Sequence, residues 1–325
     1  VRRETEKREQ RMEVLHRNRP AVIVDRYFKG DYGTVFATAA SVPNDGEPRV
    51  RPWQKGAQPV PQVTMAVEHY NRICRMLDKG VKVRLSCELK ASFDDSETEE
   101  HNVFAELPGT DPELKDQVVM LGAHFDSWHT GSGATDNGCG SAVMMEAFRL
   151  LNILQKERGQ GPRRTIRIAL WSGEEQGLRG SRNYVRNAIG EAATDETPAR
   201  FTDLHGKISA YYNLDNGTGK VRGVYLQGNA MVAPIFRAWL RPFHDLDAAT
   251  LTLDDTGGTD HLSFDRVGIP GFQFIQDPIA YSPRTHHSNK DVWDHALPDD
   301  LKQAATVSAS FVWHTAQRDG LLPRK

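Results

Sequence analysis

The stretch Leu121–Gly140, LGAHFDSWHTGSGATDNGCG, decides how this chain folds. The apolar run continues back through Gln117–Met120, so His124 and Asp126 stand where a buried strand ends. Asp136 closes a Gly/Ser/Thr loop, and from Gly138 onward apolar residues recur at helical spacing (Ala142, Val143, Ala147, Phe148, Leu150, Leu151, Leu154). Strand, polar loop and helix together place His124, Asp126 and Asp136 in the crevice at the carboxyl end of a sheet. Open α/β folds carry their ligand sites there.

Downstream, the plan repeats. Thr165–Trp171 (TIRIALW) is an apolar strand of the kind covered by helices on both faces, and it ends in Ser172-Gly173-Glu174-Glu175. Ile208–Leu214 is another, ending in Asp215-Asn216-Gly217. Val221–Gln227 and Gly271–Ile275 read as strands, Val232–Leu240 and Leu301–His314 as helices. The expected fold class is α/β: a mostly parallel, doubly wound mixed sheet with helices on both faces. Upstream, Val1–Arg19 is a charged surface helix, Ala21–Asp25 a short strand, and Phe28–Gln62 loops rich in Gly, Pro and Asn. Met65–Leu77 is a helix and Val81–Leu89 a strand. The acidic tract Ser92–His101 (SFDDSETEEH) marks the boundary, giving a small accessory α/β piece over 1–92 and a main domain over 93–325.

With 325 residues, 38% hydrophobic and 26% charged, the composition is that of an ordinary soluble protein. A formal net charge of −2 gives no argument for nucleic acid or an acidic membrane surface. No apolar stretch is long enough to span a bilayer, and none reads as a secretory signal. Cys74, Cys87 and Cys139 are far apart, odd in number and without metal-type spacing, so no disulfide framework is expected.

Three strand endings therefore carry acid or imidazole: His124/Asp126 with Asp136 beyond, Glu174/Glu175, and Asp215. A fourth set follows in Arg284–Asp291 (RTHHSNKD). Singly, each is most simply a solvated loop carboxylate or a core histidine. Adjacent carboxylates at a buried strand end repel one another unless a cation compensates, and several such clusters on one sheet edge point to metal. Histidine and carboxylate without thiolate suit zinc. A bridging carboxylate would hold two ions roughly 3.5–4 Å apart. One further carboxylate must then move the proton of the attacking water. Glu174 and Glu175, as neighbours on an extended strand end, point to opposite sides, so one can bind metal while the other faces substrate.

The motifs GAHFDSW, GATDNGCG, ALWSGEEQGLRGS, YYNLDNGTG, GTDHLSF and HHSNKD, in this order between Asn102 and about His314, resemble those of the co-catalytic zinc aminopeptidases and glutamate carboxypeptidases. Within them the resemblance is strongest to the plasma glutamate carboxypeptidase group and its bacterial relatives. It implies two zinc ions per chain, one on His124 and Asp215, the other on Glu175 and His287, with Asp136 bridging. Glu174 would be the general base and acid, acting on a zinc-bridging hydroxide, and Asp126 would orient His124. His286 stands where some relatives have an oxyanion-steadying tyrosine, and a donor role for it is an expectation. The residue after the bridging aspartate follows a cis peptide in this family, which implies a cis Asp136–Asn137 bond. Asp260 matches a position near the substrate amine. Residues Ala21–Leu89 resemble the end of a protease-associated domain.

The implied function is a metal-dependent exopeptidase acting on small peptides as aminopeptidase, dipeptidase or carboxypeptidase. The resemblance also suggests a homodimer and a secreted or periplasmic location. Two other functions belong to the same fold: glutaminyl cyclisation with a single zinc, and a non-catalytic binding scaffold that has lost its ligands. The intact five-ligand set and Glu174 argue for the peptidase.

Overall fold

In the computed structural model, residues 2–42, 52, 54, 57, 59–92, 94 and 96–325 are described. Most of the expected loop after Val42, and Phe93 and Asp95 of the acidic tract, lie outside the described residues. The chain forms two compact units: Val1–Glu97 with His129–Gly131 and His287–Lys290, and Thr98–Trp128 with Ser132–His286 and Asp291–Lys325.

The smaller unit contains helix α1 (Arg2–Asn18), strands β1 (Ile23–Arg26) and β2 (Gln62–Met65) paired in parallel, and helix α2 (Val67–Asp78). Phe36 is buried in it, stacked on Tyr27 at 4.7 Å between ring centroids, and bridges to Ser288. The strand expected over Val81–Leu89 does not form: residues 81–92 carry no secondary structure, and Val81, Leu85 and Leu89 are exposed. A strand needs a neighbour to bond its backbone, and no ladder among the described residues includes this segment.

The larger unit contains β3 (Val103–Leu107), β4 (Val118–His124), α3 (Cys139–Arg158), β5 (Thr165–Trp171), α4 (Arg179–Tyr184), β6 (Gly190–Glu191), β7 (Arg200–Phe201) and α5 (Asp203–Lys207). After these come β8 (Ile208–Asn213), β9 (Val221–Tyr225), α6 (Ala233–Leu240), β10 (Thr250–Thr252), α7 (His261–Asp265), β11 (Gly271–Gln276) and α8 (Pro298–Gln317). Seven strands make one sheet in the order β10-β9-β11-β8-β4-β5-β3. Contacts β10/β9, β11/β8, β8/β4 and β4/β5 are parallel; β11/β9 and β5/β3 are antiparallel.

Strand β4 is central and buried along its whole length, because both its faces are covered. Val119, Leu121 and Ala123 join α3 and α8 in one apolar layer with Val143, Met144, Ala147 and Phe311. Val118 and Met120 point the other way, toward Val185, Tyr211, Phe264 and Ile269. Gly122 is where the sheet is tightest: a Cβ there would lie 2.2 Å from the Ala169 carbonyl oxygen and 2.9 Å from the Tyr211 hydroxyl. Helix α8 opens with Pro298 and two acidic residues, which suit a helix N-terminus. Its C-terminal end is closed by the buried Arg164, whose guanidinium donates to the carbonyls of Thr315, Arg318 and Asp319. Among the described residues no helix is long and apolar enough to cross a membrane.

Candidate metal centre

The site is built where β4, β5 and β8 end side by side in parallel. His124 closes β4 and is 1% exposed. Its Nδ1 lies 2.9 Å from the Asp126 carbonyl oxygen and 3.4 Å from Asp126 Oδ1, so the proton on Nδ1 is held there. That leaves Nε2 turned toward Asp136 Oδ1 at 3.4 Å and Asp215 Oδ1 at 3.3 Å. Ser141, in the first turn of α3, donates to the His124 carbonyl at 2.7 Å and ties helix to strand end.

Asp126 does more than face the imidazole. Its two oxygens accept the backbone N–H groups of Glu174 and Glu175, each at 3.1 Å. One carboxylate thus holds the end of β4 and the turn after β5 in fixed relation. Burial alone would raise its pKa, but the His124 ring and the two amides outweigh it and hold the group below the usual carboxylate range.

Asp136 sits on the loop Ala134–Gly138, and the Asp136–Asn137 peptide is cis, as the resemblance implied. The loop is pinned from the far end of the chain. Asp291 accepts the amides of Thr135 (2.6 Å) and Asp136 (3.1 Å) and the Thr135 hydroxyl (2.8 Å). Asn137 donates to the Leu214 carbonyl at 2.9 Å, bringing the loop against the end of β8 just before Asp215. Helix α3 can start this close only because residue 140 is glycine; a Cβ would come 2.1 Å from Asn137 Oδ1 and 2.4 Å from the Leu214 oxygen.

One ligand atom each from His124, Asp136 and Glu175 lie within 4.8 Å of one another, a group that can hold a metal ion. Glu174 is buried beside them. Desolvation, with Asp215, Asp260 and Glu175 nearby, pushes its carboxyl up to about 10 against the lowering effect of His124. His124 responds in the opposite sense: burial disfavours its charge, yet Asp215, Asp126 and Asp136 hold it well above its ordinary value. A site that keeps an imidazole charged and a carboxyl protonated is short of positive charge, and this donor set fits a divalent cation.

The structure thus brings together His124, Asp126, Asp136, Glu174, Glu175 and Asp215. His286 lies at the edge, its Nε2 3.9 Å from Asp136 Oδ2, beyond hydrogen-bonding range, and its ring 4.9 Å from that of Tyr281. His287, the next residue, has φ 61° and belongs to the segment that groups with the smaller unit, where its carbonyl accepts the Ala37 amide at 2.7 Å. Asp260 is fully buried, and burial pushes its carboxyl up to about 7. Two participants carried no role in the sequence reading. Asp291 was visible inside HHSNKD, but its bonds to Thr135 and Asp136 cross more than 150 positions. Tyr281 follows no motif; burial, then Asp215 and Asp136, drive its hydroxyl well above the usual range.

The sequence profile of Peptidase family M28 matches residues 102–312. Carboxypeptidase Q of Mus musculus is 29% identical over 280 residues, covering 85% of this chain and 54% of that protein. The chain therefore spans about half the length of the curated relatives it matches. Among solved structures, a peptidase M28 precursor from Shewanella amazonensis SB2B superposes with a TM-score of 0.72 at 25% identity, covering 94% of this chain and 62% of that one. A zinc aminopeptidase from Bacillus subtilis shares the fold at TM-score 0.51 and 23% identity, covering 67% of this chain and 50% of its own.

Proposed function

This chain belongs to peptidase family M28, and from that premise we propose that it is a zinc-dependent exopeptidase that hydrolyses peptide bonds of small peptides. The observation that carries the reading is the Asp126 clamp. One residue faces the His124 ring with its backbone carbonyl and its carboxylate, and that carboxylate fixes the backbone of Glu174 and Glu175, so a metal-binding group and a proton-transfer group are positioned from the same residue. Histidine and carboxylate donors without thiolate favour zinc. In this reading two ions are held per chain, with His124 and Asp215 on one, Glu175 and His287 on the other and Asp136 shared, the set the family resemblance implies. Zinc, when bound, supplies a Lewis acid that polarises the scissile carbonyl and lowers the pKa of water.

The chain's own part is to place groups and move a proton. Glu174 accepts a proton from the attacking water and returns it to the amine nitrogen that leaves. A carboxyl that is costly to ionise in the bare site is stabilised as carboxylate by nearby cations, which brings its affinity for a proton toward the range this exchange needs. Asp291 keeps Asp136 in register through the amide of Asp136 itself. A homodimer and a secreted or periplasmic setting belong to this reading through the resemblance.

The deciding experiment is a panel of dipeptides and aminoacyl amides, assayed with the metal-stripped chain and after zinc titration. Hydrolysis that rises to saturation at two equivalents of zinc is expected. A chain that stays inactive at every zinc level, or that binds one ion and converts an N-terminal glutamine peptide to pyroglutamate, would sink the proposal.

A further inference from the structure

The turn that carries Glu174 is walled by arginines. Gly173 and Gly177 have φ of 62° and 104°, and between them the amides of Gly177 and Leu178 donate to the Glu174 carbonyl at 2.7 and 2.8 Å. Arg179 covers one end of this turn: a Cβ on Gly173 would lie 3.2 Å from its Cβ and 3.8 Å from its Cδ. Arg182 covers the other, its Nη1 3.9 Å from where a Cβ on Gly177 would stand. Arg266 arrives from the end of α7. Ser181 and Ser263 share a buried hydrogen bond of 2.8 Å, and Val185, Phe264 and Val267 pack in one cluster, so α4 and α7 lie side by side. Arg182 follows Ser181 and Arg266 comes one turn after Ser263, which sets both along the same seam.

These cationic heads have no acid to answer them. Arg179, Arg182 and Arg266 are exposed, and among the described residues no carboxylate stands at ion-pair distance from any of the three. Other arginines of the same unit are matched: Arg163 meets Asp111 at 2.8 Å, Arg167 meets Glu106 at 2.6 Å and Arg222 meets Asp277 at 2.5 Å. Partial burial and the charge of Arg266 hold the Arg182 guanidinium below its ordinary range, against the opposite pull of Glu174 and Asp260. Two like charges are thus kept together beside the group that moves the proton. All of these residues belong to the larger unit.

We propose that Arg182 and Arg266 form an anion subsite beside Glu174 that binds a carboxylate of the peptide substrate, with Arg179 adding to the positive field. The inference rests on the peptidase reading for what enters the site, and adds which peptides are selected. A peptide offers two kinds of carboxylate, the terminal α-carboxylate and an Asp or Glu side chain. Both have the planar two-oxygen shape that a guanidinium meets with two parallel hydrogen bonds. A carboxylate between two guanidinium groups also relieves their mutual repulsion. Glu174 serves the bond being cut, so a carboxylate held against its turn belongs to a residue flanking that bond. The favoured substrates are therefore dipeptides with a free carboxyl end, or peptides with an acidic residue next to the scissile bond.

Matched peptide pairs given to the zinc-loaded chain test it and separate the two sources. Alanyl-alanine against its amide reads the α-carboxylate; glutamate against glutamine, at either position of the dipeptide amide, reads the side chain. In at least one pair the charged member should be preferred about tenfold in kcat/KM. Arg182→Ala should raise the KM of that member about five- to thirtyfold, with the effect on KM rather than kcat, and bring the pair level. Arg266→Ala should do the same more weakly. Arg182→Lys should keep part of the preference, because an ammonium makes no bidentate bond, and added salt should shrink it. Titration calorimetry of the same pairs on the zinc-loaded Glu174→Gln chain reads the subsite without turnover. Tighter binding of a charged member that Arg182→Ala removes supports the subsite even if the native chain cleaves nothing, a result that would end the peptidase reading alone. Equal cleavage and equal binding within every pair, or a preference that survives Arg182→Ala and Arg266→Ala together, would overturn the proposal.

Discussion

At the scale of single residues, the centre separates groups that meet the chemistry from groups that hold them. Glu174→Gln keeps the shape and the Asp126 bond to its amide, so zinc content should be unchanged while kcat falls by about 10²–10⁴-fold. Parallel metal analysis and kinetics check this, and near-native turnover would remove Glu174 from its role. Asp126→Ala should act on two sites at once, removing the carboxylate that faces His124 while leaving the backbone carbonyl bond, and loosening both amides of the Glu174–Glu175 turn. A loss of about 10–100-fold in zinc affinity is expected, read by competition with a chelator. Asp291→Ala leaves the two buried amides of Thr135 and Asp136 without their acceptor, while the Thr135 hydroxyl keeps Thr285. Each such group costs about 1–3 kcal/mol. The variant should therefore melt at lower temperature and bind zinc more weakly. Unchanged melting would show that the loop holds Asp136 without it.

At the scale of elements, the strand ends are locked by a buried chain of hydrogen bonds beneath the site. Trp171 of β5 donates to the Tyr211 hydroxyl at 2.7 Å, Tyr211 of β8 donates to Asn213 at 2.6 Å, and the Asn213 amide donates to Thr259 at 2.9 Å and Gln273 at 2.8 Å. The direction is forced, because an indole N–H can only donate. Tyr211→Phe would orphan the indole N–H and the Asn213 oxygen, and a loss of about 1–3 kcal/mol per group is expected in denaturant melts. Tyr211 is fully buried, and composition cannot distinguish a packed ring from a bonded hydroxyl. The helix-flanked strands β4, β5 and β8 were legible because a short apolar run closed by polar turn residues is what a strand covered on both faces requires. Val81–Leu89 shows the limit: its alternation is genuine, but a strand is a property of a pair, and pairing lies outside any local pattern.

At the scale of the whole molecule, stability should depend on pH through His261, which is not one of the proposed ligands. This ring is fully buried, its Nε2 lies 3.1 Å from the Thr256 carbonyl, and desolvation pulls its pKa down to about 4 from 6.5. The folded state therefore stays neutral where the unfolded chain takes up a proton. Stability from this group is present above pH 6.5 and is lost as pH falls toward 4, by on the order of 2 kcal/mol at pH 5. Chemical denaturation of the chain and of His261→Gln at pH 7 and pH 5 checks it: the pH difference should shrink in the variant. An equal pH difference in both would assign the loss elsewhere. Metal should stabilise the same molecule from outside the fold. A ligand that binds only the native state adds about 2.7 kcal/mol at a hundredfold excess over its dissociation constant, so chelation should lower the melting temperature and zinc restore it.

The sequence by itself determined the α/β class, the strand ends that carry acid and imidazole, and the family, because runs of apolar residues and fixed motif spacings are local properties of the chain. Only the tertiary structure decided that Asp126 joins His124 to the Glu174–Glu175 turn and that Asp291 holds the loop of Asp136. Those are relations between residues tens to more than a hundred positions apart. Burial, and with it the direction in which each carboxyl and imidazole titrates, exists only once the distant segments have closed around them.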